Sequence, residues 1–183
     1  MTRAFHAPQG AHFVLVGLPG AGKSTVGASL SHKLRWPFLD FDLEITERAG
    51  KPIADIFTTD GEKHFRNMEM DLTRELVGTR PMVLSPGGGW IVNEEAISLL
   101  CPPSRMIYLR VSPEYALARV RRSRTIRPLL ATPDPDAAMR RLWELRGPLY
   151  EKAHLVVDAE NLDTKQVTET IVELAARQAS ALG

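Results

Sequence analysis

The stretch His12-Phe13-Val14-Leu15-Val16-Gly17-Leu18-Pro19-Gly20-Ala21-Gly22-Lys23-Ser24-Thr25 decides how the rest of the chain is read. Its first part is a short, continuous apolar run ending in Gly17, the pattern of a strand buried on both faces of a parallel sheet. From Gly17 to Thr25 it fits G-x-x-x-x-G-K-[ST]. Behind it, Val26, Leu30 and Leu34 fall at helical spacing within Lys23–Leu34. Strand, glycine-rich turn and helix in that order make a phosphate cradle. The glycines let backbone N–H groups turn inward, and the helix N-terminus adds its partial positive charge. Lys23 is placed to reach the β- and γ-phosphates and the Ser24 hydroxyl to ligate Mg²⁺. Gly20, Ala21, Gly22, Lys23, Ser24 and Thr25 are the expected ATP-binding residues.

Working outward, apolar runs alternate with amphipathic ones. Phe38–Asp40, 81–85, 106–110 and Leu155–Asp158 read as further strands. Helical spacing recurs over 61–77, 94–100, 113–122, 136–146 and 164–179. Strands separated by helices predict right-handed crossovers and a five-stranded parallel sheet covered on both sides, a three-layer α/β/α architecture. No repeat, low-complexity segment or linker divides the chain, so residues 1–183 are expected to form one domain.

Composition narrows the function classes. Of 183 residues, 44% are apolar, with 13 Gly and 13 Pro, which excludes a disordered or collagen-like chain. Lys and Arg number 23 against 22 acidic residues, a net charge of +1, so no whole-molecule footprint for nucleic acid is expected. Cys101 is the only cysteine, which leaves no intramolecular disulfide or cysteine zinc cluster and fits a reducing compartment. No apolar run approaches the ~18 residues that cross a bilayer. The N-terminus lacks the apolar core of a signal peptide. A soluble, cytoplasmic protein is the expectation, with neither a nucleic-acid nor a membrane partner.

Several phosphate-loop classes are disfavoured by what is missing. Strand 81–85 does not end in the acidic residue that motors and helicases use to hold Mg²⁺, and no Asn-Lys-x-Asp guanine reader occurs. The pattern present is Asp40-Phe41-Asp42 at the end of the second strand. In an extended segment alternation puts both carboxylates on one side, ~6–7 Å apart. One then serves Mg²⁺ and the other an acceptor hydroxyl; the plainer alternative is an Asp capping a helix that begins near Leu43.

Further motifs follow in order: Ile53-Ala54-Asp55-Ile56-Phe57, Gly61-Glu62-x-x-Phe65-Arg66-x-x-Glu69, Gly87-Gly88-Gly89, Arg127-Pro128-Leu129-Leu130 and Arg146-x-Pro148-Leu149-Tyr150. Together with Asp40-x-Asp42 they resemble the shikimate kinase family over about residues 12–175. The resemblance implies a nucleoside monophosphate kinase-like P-loop fold with a mobile lid at about 119–134 and a substrate-binding segment at about 40–70. It implies transfer of the ATP γ-phosphate to the 3-hydroxyl of shikimate, a step of chorismate and aromatic amino acid biosynthesis, in a monomer that uses ATP and Mg²⁺. By the same resemblance Lys23, Asp42 and Arg127 are catalytic, and Arg127 also meets ATP. Asp42, Arg66, Gly87, Gly88, Gly89 and Arg146 hold shikimate, and Ser24 and Asp40 hold the metal.

The chemistry of these residue types agrees. Shikimate is a small cyclic carboxylate with ring hydroxyls, and Arg66 and Arg146 supply planar forks that match a carboxylate. Gly87, Gly88 and Gly89 let backbone approach the ring where a Cβ would clash. Asp42 orients the attacking hydroxyl more than it deprotonates it, because phosphoryl transfer is loose. Glu69, at i+3 from Arg66, holds that guanidinium or makes only an exposed ion pair. Phe57 and Phe65 form an apolar wall or plain core. The segment 119–127 is dense in arginine, and whether Arg119, Arg121 or Arg122 lies against adenine is open. Two other readings remain: another small-metabolite kinase such as a gluconate kinase, or a non-catalytic ligand-sensing domain of the same fold. The first would not need Phe-Arg-x-x-Glu and Gly-Gly-Gly together, and the second need not retain Lys23, Asp40, Asp42 and Arg127.

Overall fold

The computed structural model describes residues 9–123 and 127–181. Five parallel strands, β1 (Phe13–Val16), β2 (Phe38–Asp40), β3 (Val83–Ser85), β4 (Arg105–Arg110) and β5 (Leu155–Asp158), form one sheet in the order β2-β3-β1-β4-β5. Phe13 is in register with Val83 on one side and Arg105 on the other, so β1 is the central strand. All four of its residues are buried, as its unbroken apolar run requires.

The helices are α1 (Lys23–Leu34), α2 (Phe41–Ala49), α3 (Ile53–Thr59), α4 (Glu62–Leu76), α5 (Glu94–Leu100), α6 (Pro113–Arg122), α7 (Pro135–Tyr150) and α8 (Thr164–Ala181). The chain leaves β1 towards the β2 edge and afterwards moves only the other way. Right-handed crossovers therefore put α1 on one face and α4 and α5 on the opposite one. The last helix returns to α1, where Thr168 Oγ1 donates to Ser29 Oγ at 2.9 Å. The core runs through both layers, with Leu15, Leu18 and Leu30 near β1 and Phe41, Ile45, Ile56 and Leu72 under the helices after β2.

Two helices lie where the sequence predicts extended chain or loop. The first starts at once after β2, so Asp42 stands in its first turn and the extended Asp40-Phe41-Asp42 segment is not formed. Asp40 is its N-cap: Oδ1 accepts from the N–H of Asp42 at 3.0 Å and of Leu43 at 3.4 Å. The capping alternative is thus realised, without removing Asp40 from the site described below. A third difference is the length of α7. It continues past 146 through Pro148 to Tyr150, because Arg146, Gly147 and Tyr150 bury its last turn.

Candidate active site

The loop between β1 and α1 is shaped by glycines in the left-handed region. At Gly20 φ is +89°, and a Cβ there would stand 2.3 Å from the Ala116 carbonyl oxygen of α6. Gly22 is the α1 N-cap at φ +98°, and the Arg119 guanidinium covers the face where its Cβ would be. Lys23 folds over the loop, its Nζ donating to the carbonyls of Gly17 at 2.9 Å and Leu18 at 3.2 Å. Desolvation, and then the charge of Arg127, bring its pKa down to about 8, against the pull of Asp42 and Asp40.

Beside this loop Ser24 Oγ donates to Asp40 Oδ2 at 2.5 Å. The two carboxylate oxygens of Asp40 thus divide their work between the phosphate loop and the N-terminus of α2. A hydroxyl and a carboxylate side by side are hard oxygen donors. They fit a Mg²⁺ ion that completes its shell with water and phosphate oxygens. Among the described residues no cluster of three or more His, Cys, Asp or Glu side chains forms a closed metal cage. Two residues on, in the first turn of α2, Asp42 Oδ2 accepts from Arg127 Nη1 at 2.9 Å. Burial raises the Asp42 carboxyl above its ordinary range, and the Arg127 charge opposes that shift.

Across from Asp42, α4 and α7 present the two arginines. Arg66 Nη1 donates to Glu69 Oε2 at 2.6 Å and Arg66 Nη2 to Glu62 Oε1 at 2.8 Å. Glu69 is only 3% exposed, so the pair is not a solvated surface bridge; desolvation raises its carboxyl pKa and Arg66 pulls it back. Its Oε1 and the Nε of buried Arg146 have no hydrogen-bond partner among the described residues. Two such unsatisfied groups in one wall are a cost that a polar ligand would offset. The glycines lie between them: a Cβ would come within 2.6 Å of Glu69 Oε1 at Gly87, 3.3 Å of Arg146 Nη1 at Gly88 and 2.5 Å of Arg66 Nη2 at Gly89. Phe57 and Phe65 pack with ring centroids 5.1 Å apart and line the same space.

These groups border two cavities. The larger, about 600 Å³, is lined by Asp42, Phe57, Phe65, Arg66, the three glycines and Arg146. The smaller, about 310 Å³, is lined by Gly20, Gly22, Lys23, Ser24, Thr25 and Arg119. They share Pro19, Ser24, Asp40, Asp42, Gly87, Gly88 and Arg127. Of the expected ATP-binding residues only Ala21 is buried away from the smaller cavity, at 2% exposure.

The match to known proteins fits this double cavity. Residues 19–176 match the family model for shikimate kinase. The chain belongs to the shikimate kinase family. A shikimate kinase of Nitrobacter winogradskyi is 40% identical over 177 residues, which is 97% of this chain and 82% of the relative. The shikimate kinase of Acinetobacter baumannii, solved in complex with shikimate, superposes with a TM-score of 0.89 at 33% identity, over 97% of this chain and 98% of that one. A gluconokinase from Sinorhizobium meliloti shares the fold alone, with a TM-score of 0.61 at 18% identity over 96% of this chain and 97% of that one.

Within this shikimate kinase fold the structure sorts the arginines that the sequence leaves open. Arg119 lies over the phosphate loop and the Tyr115 ring, its Cζ 5.8 Å from the centroid. Arg121 turns to Asp136, donating at 2.6 Å, and Arg122 is exposed. Of the expected lid at 119–134, residues 124–126 lie outside the described residues. No helix among the described residues is long and apolar enough to cross a membrane.

The sequence analysis names one residue at this site only as part of a motif, with no role. Tyr150 sits one helical turn after Arg146 and donates from its hydroxyl to the Gly88 carbonyl at 2.9 Å. The i, i+4 spacing was the available signal, but it holds only if the helix is read through Pro148.

Proposed function

We propose that this chain transfers the γ-phosphoryl group of ATP to the 3-hydroxyl of shikimate, giving shikimate 3-phosphate and ADP. One observation carries the reading: two cavities of different chemistry, one framed by the phosphate loop and one by paired arginines over glycine backbone, meet at Asp40, Asp42 and Arg127. ATP takes the smaller cavity, its phosphates on the N–H groups of 20–25 and on Lys23. Shikimate takes the larger, its carboxylate on Arg66 and Arg146, its ring against Gly87, Gly88 and Gly89.

Asp42 at the junction accepts a hydrogen bond from the attacking hydroxyl and aims its oxygen at the γ-phosphorus. Arg127 and Lys23 are cations placed where negative charge moves during transfer. Ser24 and Asp40 would hold Mg²⁺, which supplies charge neutralisation between the phosphates. By the family resemblance we infer action as a monomer, in the cytoplasm where ATP is available. The residues 119–134 act as the lid.

The test is coupled ADP release with shikimate, gluconate and nucleoside monophosphates as acceptors. Turnover with shikimate alone is expected. Turnover with gluconate or a nucleotide and none with shikimate would overturn the assignment.

A further inference from the structure

The geometry points to Tyr150 as a positioning residue for acceptor binding: its hydroxyl ties the Gly88 backbone to the helix that carries Arg146. The inference rests on the reading of the larger cavity as the shikimate site, and extends it to a residue that touches no substrate.

Arg146 and Tyr150 lie one turn apart on the same face of α7 and are both buried, Tyr150 completely. They meet Gly88 from two sides. The Tyr150 hydroxyl donates to its carbonyl at 2.9 Å, and Arg146 Nη1 covers its α-carbon, 3.3 Å from where a Cβ would stand. With its one proton given to Gly88, the hydroxyl keeps only acceptor lone pairs, and the Arg146 charge stands beside it.

The phenol is itself fixed from behind. Its ring stacks on Tyr108 of β4, centroids 5.2 Å apart and planes 22° apart. A chain of rigid contacts therefore runs from the sheet through Tyr108 and Tyr150 to the glycine loop. The hydroxyl is thus a direct tie between that loop and the helix that carries the Arg146 fork. A carboxylate gripped by a fork tolerates little misplacement, so a loop released from this tie costs affinity for the acceptor. Gly87 and Gly88 also border the nucleotide cavity, but the loop residues 20–25 that frame its phosphate end are not part of this tie, so the nucleotide side should respond far less.

Tyr150→Phe removes the hydroxyl and keeps the ring and its stack. We expect the shikimate Kd without nucleotide, by calorimetry, and the shikimate KM to rise about ten-fold, with kcat and the KM for ATP within about two-fold of wild type. Tyr108→Phe, which takes a hydroxyl from the other ring of the stack, should leave the shikimate Kd within about two-fold. A Tyr150→Phe protein that melts lower yet binds shikimate as wild type does would make the residue merely structural and overturn the proposal. Equal loss of ATP and shikimate affinity would also overturn it, as general damage. If wild type itself fails to phosphorylate shikimate, the functional reading falls and takes this inference with it. If wild type is active and only the Tyr150→Phe result is negative, the functional reading stands.

Discussion

The guanidinium of Arg127 and the carboxylate of Asp42 are joined at 2.9 Å across 85 residues of sequence. One lies within the segment 119–134 proposed as the lid and the other in the first turn of α2, so the residue proposed to close over the phosphates and the one proposed to orient the acceptor share one charge pair. The pair is only partly buried, at 36% and 26% side-chain exposure, so its worth lies in tuning the carboxylate more than in stability.

Removing Arg127 should therefore change the pH profile as well as the rate. Its charge holds the Asp42 carboxyl down against burial, so in Arg127→Ala that pKa rises further. Activity that needs the ionised carboxylate is then lost at higher pH, and the acid limb of kcat/KM moves upward. Turnover should fall far more than shikimate affinity measured without nucleotide. An unmoved acid limb, or a loss of shikimate affinity as large as that of Arg66→Ala, would remove Arg127 from this role.

Asp42→Asn separates activity from stability. Because the folded pKa lies above the ordinary carboxylate value, the contribution of this group to stability is full below that value. It is lost as pH rises through the folded pKa, and at neutral pH the ionised form is penalised. The amide avoids that penalty. We expect kcat to drop by about 10² or more while the melting temperature at pH 7 holds or rises. A clear fall in melting temperature with turnover retained would be the opposite result.

The two acceptor arginines should behave as ground-state contacts. Arg66→Ala or Arg146→Ala removes charge-assisted hydrogen bonds worth about 1.5–3 kcal/mol, so shikimate binding weakens by roughly one to two orders of magnitude. Lysine should restore only part of this, since a point charge lacks the fork. Calorimetric titration decides; normal binding by either alanine variant would displace that arginine from the carboxylate.

Asp40 can be dissected because its two oxygens act separately. Asparagine caps helices as well as aspartate does but is a poor Mg²⁺ ligand. Asp40→Asn should keep the melting temperature and demand far more Mg²⁺ for activity. Asp40→Ala should in addition lose about 1 kcal/mol of stability with the α2 cap. Wild-type Mg²⁺ dependence in Asp40→Asn would take the residue out of the metal site.

Gly20→Ala and Gly89→Ala should fail differently. The first drives a Cβ into the Ala116 carbonyl of α6 at a left-handed φ, so both stability and ATP affinity suffer. The second meets the movable end of Arg66, so the fold survives while shikimate KM rises. Paired melting curves and KM values for both substrates test the contrast.

What the sequence made legible was the chemistry, and what it hid was local geometry. Buried strands announce themselves as apolar runs, and the phosphate loop by glycines whose φ values are needed. The helix Phe41–Ala49 stayed hidden because it follows β2 without an intervening breaker and leaves Leu43 68% exposed. Asp42 was therefore named as a site candidate from its sequence position and placed on the wrong kind of backbone. The end of α7 stayed hidden because proline usually ends a helix, and only burial of Arg146 and Tyr150 against the glycine loop carries it past Pro148. Glu69 was ambiguous until its burial was known, because i, i+3 spacing alone does not tell a desolvated partner from a solvated one.

The strand order has a consequence for how such a protein diversifies. With β1 in the middle, the chain builds the β2–β3 flank first and the β4–β5 flank afterwards. Asp42, Arg66 and the three glycines belong to the earlier flank, and Arg119 and Arg127 to the later one. Arg146 alone among the acceptor residues crosses back from beyond β4. Changes within one block of sequence, about residues 43–76, can thus reshape the larger cavity without touching the loop 17–25 or the residues Asp40, Asp42, Gly87 and Gly88 that border both cavities. The arginine on α7 is the position at which such a change must be matched from outside the block.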